Sequence, residues 1–127
     1  MVRISVLLVD DNPVFLRVEK MFVEQYCQNE VVVVGVATSS EEALRQAQDL
    51  QPQLVLLDME MPGMNDLQVI PHLKKILPQA RIIMLALLDN HGYREAALAA
   101  GADDFVAKGS MSTDLLPAIL RVMQPHR

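Results

Sequence analysis

Five short apolar runs alternate with segments of helical periodicity, and this alternation constrains the fold more than any other feature of the chain. Most of the runs lack a polar residue at every second position, which is typical of strands buried on both faces of a parallel sheet. We predict strands at residues 4–9, 31–37, 54–57, 82–88 and 105–107. Because crossovers between parallel strands are right-handed, the alternation predicts an α/β fold: a doubly wound sheet with helices on both faces.

The first two intervening segments carry signals for helix starts and stops. Pro13 is placed where the first turn of a helix tolerates a missing N–H, and apolar residues at helical spacing follow it. These residues are Val14, Phe15, Val18, Met21 and Phe22. Ser39 and Glu42 have the spacing of a capping box, and Pro52 closes the second helix.

Three more helices are predicted with less regular signals. One runs over residues 66–77 with Pro71 inside it, where a backbone hydrogen bond must be lost and a kink is expected. The next covers residues 93–100 and ends at Gly101, a residue suited to a left-handed cap. The last has Pro117 in its opening turn.

Length and composition favour one domain over residues 1–127, with residues 122–127 as a candidate start of a linker. No apolar run reaches the roughly 18 to 20 residues of a membrane span, and no signal peptide is apparent, so we expect a cytoplasmic protein. The single Cys27 suggests a reducing compartment and no redox role. A net charge of −5 argues against direct nucleic-acid contact by this domain.

Ionisable residues follow three of the predicted strands. Asp10 and Asp11 end the first, Asp58 ends the third and Lys108 ends the fifth. In doubly wound folds the carboxyl ends of the strands line one edge of the sheet, where ligands bind. The four residues are therefore expected to converge there.

Three adjacent carboxylates require a positive charge to remain ionised together. Mg²⁺ prefers hard oxygen ligands and suits a cluster that also receives phosphate oxygens. Asp58 could then attack phosphorus as a nucleophile, while Lys108 neutralises charge on the transferred group. Taken one at a time, Asp10 and Asp11 could instead cap the first helix, Asp58 could form a turn and Lys108 could be a surface lysine.

Three segments resemble the receiver domains of bacterial response regulators of two-component signalling: residues 6–12 (VLLVDDN), 54–64 (LVLLDMEMPGM) and 99–108 (AAGADDFVAK). The resemblance implies a flavodoxin-like sandwich with strand order 2-1-3-4-5. It implies that Asp58 is the phosphoacceptor, that Asp10 and Asp11 form the acidic pocket with Asp11 a direct Mg²⁺ ligand, and that Lys108 contacts the phosphoryl group. The backbone carbonyl of Glu60 would complete the metal site.

One position departs from the family pattern. Receivers usually carry a Thr or Ser hydroxyl at the end of the fourth strand, and Ala86 stands there in this sequence. The aromatic residue that accompanies this hydroxyl in the family switch is present as Phe105. A hydrogen bond to a charged group contributes roughly 1.5 to 3 kcal/mol. Its loss predicts a receiver that is phosphorylated but changes conformation only weakly or through a different loop movement.

The resemblance implies a signalling module that is no enzyme beyond its own phosphorylation and dephosphorylation. Its expected partners are a sensor histidine kinase, a DNA-binding output domain on the C-terminal side and a second copy on activation, with no membrane contact. Two alternatives stay open. One is a degenerate receiver that acts as a phosphorylation-independent interaction module, and the other is a phosphohydrolase with an aspartyl-phosphate intermediate.

Overall fold

The computed structural model describes residues 3–58, 66–87 and 91–124. Within them, five parallel strands form one sheet in the order β2-β1-β3-β4-β5, as predicted. The strands are β1 Ile4–Val9, β2 Val31–Ala37, β3 Leu54–Asp58, β4 Arg81–Ala86 and β5 Asp104–Ala107. The fourth strand ends earlier than predicted because Leu87 leaves the sheet in a bend and is 63% exposed.

Five α-helices connect or follow these strands in the described part of the chain. They are α1 Pro13–Tyr26, α2 Ser40–Leu50, α3 Asp66–Ile76, α4 His91–Ala100 and α5 Met111–Val122. The left-handed end of α4 is confirmed, since Gly101 has φ +118°. At α2 the Ser39 hydroxyl accepts the Glu42 N–H as predicted, but the Glu42 carboxylate reaches back to the N–H of Thr38.

The prediction for the start of α5 was wrong. A 3₁₀ turn over Lys108–Ser110 leads directly from β5 into the helix, which begins at Met111 and carries Pro117 in its interior. Ser110 precedes the helix without a capping hydrogen bond from its side chain. The sequence does place a serine, a preferred N-cap residue, directly before the helix and Asp114 in its first turn, and these two residues were the available signal for its start.

Two apolar cores cover the two faces of the sheet. Helices α2, α3 and α4 pack on one face, and α1 and α5 pack on the other. The face of α1 that is buried differs from the one its apolar pattern suggested: Val14, Val18 and Met21 are 67%, 50% and 60% exposed. Leu16, Glu19 and Val23 are buried instead.

Candidate functional site

The carboxyl ends of β1 and β3 bring three aspartates together. One carboxylate oxygen from each of Asp10, Asp11 and Asp58 lies within 4.8 Å of the other two. Asp10 and Asp58 are buried, with 0% and 2% exposure, whereas Asp11 faces solvent. The pocket thus has a buried floor of two carboxylates and an exposed third carboxylate at its rim.

Asp10 is fixed by the backbone at the start of α1. Its Oδ1 accepts the N–H of Asn12 at 2.8 Å, and its own N–H donates to the carbonyl of Ala37 on β2. The residue that caps α1 is Asn12, whose side chain accepts the N–H groups of Val14 and Phe15. The capping interpretation of the two aspartates is therefore wrong, because Asn12 performs that task.

Lys108 joins the two buried carboxylates. Its Nζ donates to Asp10 Oδ2 at 2.9 Å and lies 3.0 Å from Asp58 Oδ1, and only 9% of the side chain is exposed. Burial alone would lower the pKa of Lys108, but the bonds to Asp10 and Asp58 outweigh it and the pKa is raised. Lys108 is thus a buried ammonium ion, and the surface-lysine interpretation is wrong.

The end of β4 lies beside this pocket. Leu85 pairs with Asp58 on β3, and Ala86 pairs with Ala107 on β5. Ala86 is buried, so a larger side chain there would enter the packed edge of the sheet. Phe105 is also buried and belongs to the same apolar core as Ala86. The Glu60 carbonyl lies outside the described residues.

Glu19 is a buried residue near the site that the sequence reasoning missed. It is 0% exposed, and neither carboxyl oxygen has a hydrogen-bond partner among the residues that the structure describes. Burial raises the pKa of Glu19 well above its ordinary value; the charge of Asp10 adds to this, Lys108 opposes it and Asp58 adds further. The sequence did contain a signal for its burial: Glu19 comes three residues after Leu16 and four residues before Val23, the spacing of residues on one face of a helix.

Comparison with known proteins places this geometry in a family. The response regulator receiver domain family matches residues 6–120. The chain belongs to this family. It is 32% identical over 115 residues to the nitrate/nitrite response regulator protein NarL of Escherichia coli, covering 91% of this chain and 52% of NarL. It is 33% identical over 120 residues to the response regulator protein VraR of Staphylococcus aureus, covering 91% of this chain and 54% of VraR.

A solved receiver domain supports the same assignment at the level of structure. The response regulator domain of Thermotoga maritima CheB superposes with a TM-score of 0.86 at 29% identity, covering 99% of this chain and 100% of that one. This receiver spans about half the length of NarL and VraR. No helix in the described ranges is long and apolar enough to cross a membrane.

Proposed function

We propose that this receiver accepts a phosphoryl group on Asp58 from the phosphohistidine of a sensor kinase, with Mg²⁺ bound by Asp10, Asp11 and Asp58. The observation that carries the proposal is the cluster of three carboxylates within 4.8 Å, two of them bridged by Lys108. Clustered oxygen ligands with one side open to solvent are what Mg²⁺ and a phosphate need, and no histidine or cysteine belongs to the described cluster.

In the proposed reaction a carboxylate oxygen of Asp58 forms a bond to phosphorus while the bond from phosphorus to the histidine nitrogen breaks. The bound cation would supply positive charge to the phosphoryl oxygens. Lys108 holds the Asp58 carboxylate in position through its 3.0 Å contact and adds a second positive charge. Asn12 orients Asp10 by donating its N–H to Oδ1.

The kinase is proposed as partner because an apolar stripe leads away from the pocket along α1. Val14, Val18 and Met21 are spaced by four and three residues and are at least half exposed. The stripe starts two residues after Asn12, so a helix that packed against it would end beside the acidic pocket. Such a contact could present a phosphohistidine to Asp58.

We further propose that the response to phosphorylation is attenuated. Ala86 offers no hydroxyl to a phosphoryl group, and Phe105 is only 3% exposed and already packed in the core. Phosphoryl transfer would then change little at the end of β4. The same two residues support the second candidate function, an interaction module whose partner contacts do not depend on phosphorylation.

Control of an output unit is part of the proposal. NarL and VraR are response regulators about twice as long as the segment that this receiver matches. We propose that this receiver regulates a DNA-binding output domain, with a second copy joining on activation. The receiver itself would be a single domain over residues 1–127 without contact to nucleic acid, consistent with its net charge of −5.

Incubation with acetyl phosphate tests the proposed function. We expect the intact mass of the wild type to rise by one phosphoryl group in the presence of Mg²⁺, and to stay unchanged when the cation is chelated. Asp58→Asn should gain nothing, whereas the control Asp49→Asn, which removes an exposed carboxylate on α2, should behave like the wild type. A wild type that never gains this mass would favour the phosphorylation-independent module.

A further inference from the structure

The buried carboxyl group of Glu19 has no role in the proposed reaction. Both of its oxygens are buried without a hydrogen-bond partner in the described structure. Leaving a buried polar group unsatisfied costs free energy that an apolar side chain would not cost. Glu19 lies on the face of α1 that packs on the sheet, between Leu16 and Val23. Packing alone would favour leucine or valine at this position.

Lys108 occupies carboxylate oxygens that a divalent cation would need. Asp10 Oδ1 already accepts the N–H of Asn12, and Lys108 takes Oδ2. A cation that binds either oxygen of Asp10 therefore shares this small carboxylate with the Lys108 ammonium group. Two positive charges on one carboxylate repel each other, so the bond between Lys108 and Asp10 should weaken when the cation enters.

We propose that Glu19 is the alternative acceptor for the Lys108 ammonium when a divalent cation occupies the aspartate pocket. In this arrangement Lys108 releases Asp10 and donates to the Glu19 carboxylate, while its contact with Asp58 is kept. Glu19 is then a positioning residue that acts through Lys108. This inference rests on the proposed cation site at Asp10, Asp11 and Asp58.

The surroundings of Lys108 support this exchange. An ammonium group has three donors, and Asp10 and Asp58 account for two of them. The Lys108 Nζ lies 4.2 Å from the centroid of the Phe15 ring on α1. Glu19 follows Phe15 by four residues, which places the two side chains one above the other on the same face of the helix. The ammonium group therefore already contacts the helix face that carries Glu19.

The charges around Glu19 also favour its contact with Lys108 once a cation is bound. The charge of Lys108 favours the ionised form of Glu19, whereas the charges of Asp10 and Asp58 oppose it. A divalent cation would offset the two aspartates and leave Lys108 as the group that favours a charged Glu19. A proton held by the Glu19 carboxyl would pass to solvent as the ammonium ion turns toward it.

Mg²⁺ titration of the wild type, Glu19→Gln and Glu19→Leu tests the proposal. The control Glu24→Gln removes a carboxylate from the same helix at an exposed position. Calorimetry gives the dissociation constant, and ¹⁵N NMR of the lysine ammonium groups reports the partner of Lys108. Lys20, Lys74 and Lys75 provide internal reference signals. Glu19→Gln keeps the size of the side chain, so the experiment can still be done with this variant if Glu19→Leu does not fold.

In the wild type we expect Mg²⁺ to shift the Lys108 ammonium resonance, and in both Glu19 variants this shift should be lost or altered. The Mg²⁺ dissociation constant should rise about tenfold in these variants, as expected for one charged hydrogen bond at the lower end of its usual strength. Glu24→Gln should match the wild type.

Two results would overturn the inference. If the Glu19 variants bind Mg²⁺ as tightly as the wild type, or more tightly, with an unchanged Lys108 shift, Glu19 does not receive the ammonium group while the proposed function stands. If the wild type binds no Mg²⁺, the proposed cation site fails and the inference fails with it.

Discussion

The guanidinium group of Arg94 lies over the ring of Phe105, with its central carbon 5.0 Å from the ring centroid. Arg94 belongs to α4 and Phe105 to β5, so this contact joins a helix to the strand that leads into Lys108. A cation over an aromatic face is attractive because the ring carries negative charge on its faces. The contact covers an aromatic side chain that is already packed into the core.

Replacing Arg94 tests how far this contact holds α4 on β5. We expect Arg94→Ala to lower the free energy of unfolding by about 1 to 2 kcal/mol, because Arg94 is half-buried and Phe105 is buried, and a cation–π contact is stronger where it is shielded from water. Arg17→Ala, at an exposed position on α1, is the matched control and should change stability by less. Urea denaturation measures both variants. Equal losses in the two would show that the stacking on Phe105 contributes nothing specific.

Restoring a hydroxyl at the end of β4 tests the attenuated switch. In Ala86→Thr the new hydroxyl can donate to a phosphoryl group on Asp58, a bond of roughly 1.5 to 3 kcal/mol. We expect a changed phosphoryl lifetime and a larger difference between the amide NMR spectra of the two phosphorylation states. Ala86→Val, which adds similar bulk without a hydroxyl, is the control. If threonine leaves both quantities unchanged, attenuation by Ala86 is refuted.

Removal of Lys108 should destabilise the cation-free protein more than removal of an exposed lysine. Lys108→Ala leaves Asp10 and Asp58 buried without their shared counter-ion, and breaking a buried pair in this way typically costs about 3 to 5 kcal/mol. Lys74→Ala breaks a more exposed ion pair with Asp103 and should cost about 1 kcal/mol. When unfolding is measured with and without Mg²⁺, the cation should restore part of the lost stability in Lys108→Ala but not in Lys74→Ala. If both variants lose the same stability and Mg²⁺ restores none of it, Lys108 does not balance the charges of Asp10 and Asp58.

The raised pKa of Glu19 predicts a pH dependence of stability. Between the ordinary value of 4.5 and the raised pKa, the folded chain holds a proton that the unfolded chain has lost, so this group's contribution to stability falls as pH rises. In a chelator, the stability of Glu19→Gln relative to the wild type should therefore increase as the pH rises from 4.5 toward the raised pKa. Glu24→Gln is the control, and its stability should change with pH in the same way as that of the wild type. If the stability of Glu19→Gln also follows the wild type at every pH, the carboxyl group of Glu19 titrates normally and the prediction is wrong.

The strands and the convergence of the charged residues could be predicted because both depend on local patterns. An apolar run of β-branched residues indicates a strand, and parallel strands place their carboxyl ends at one edge. The run does not by itself fix the burial, since the edge strand β2 is mostly only partly buried and Val34 is 36% exposed. These two rules were enough to predict that Asp10, Asp58 and Lys108 lie close together. Their spacing along the chain was irrelevant once the strands were assigned.

The buried face of α1 could not be predicted because this helix does not follow the usual amphipathic pattern. An amphipathic helix is expected to expose charge and bury apolar residues, but this helix buries Glu19 and exposes Val14 and Met21. Periodicity finds the helix, whereas its rotation depends on contacts with the sheet. The register shift between β1 and β2, which lies between Val6 and Leu7, likewise depends on tertiary pairing that no local pattern reports.

Locating the phosphoryl group is the most direct test of Asp58 as the phosphoacceptor. After incubation with acetyl phosphate and Mg²⁺, borohydride reduction converts an acyl phosphate into a stable alcohol that peptide mass spectrometry can place. We predict one reduced residue, at Asp58, in the wild type and none in the peptide from Asp58→Asn. Reduction at Asp10 or Asp11 instead, or no reduced residue in the wild type, would contradict the account.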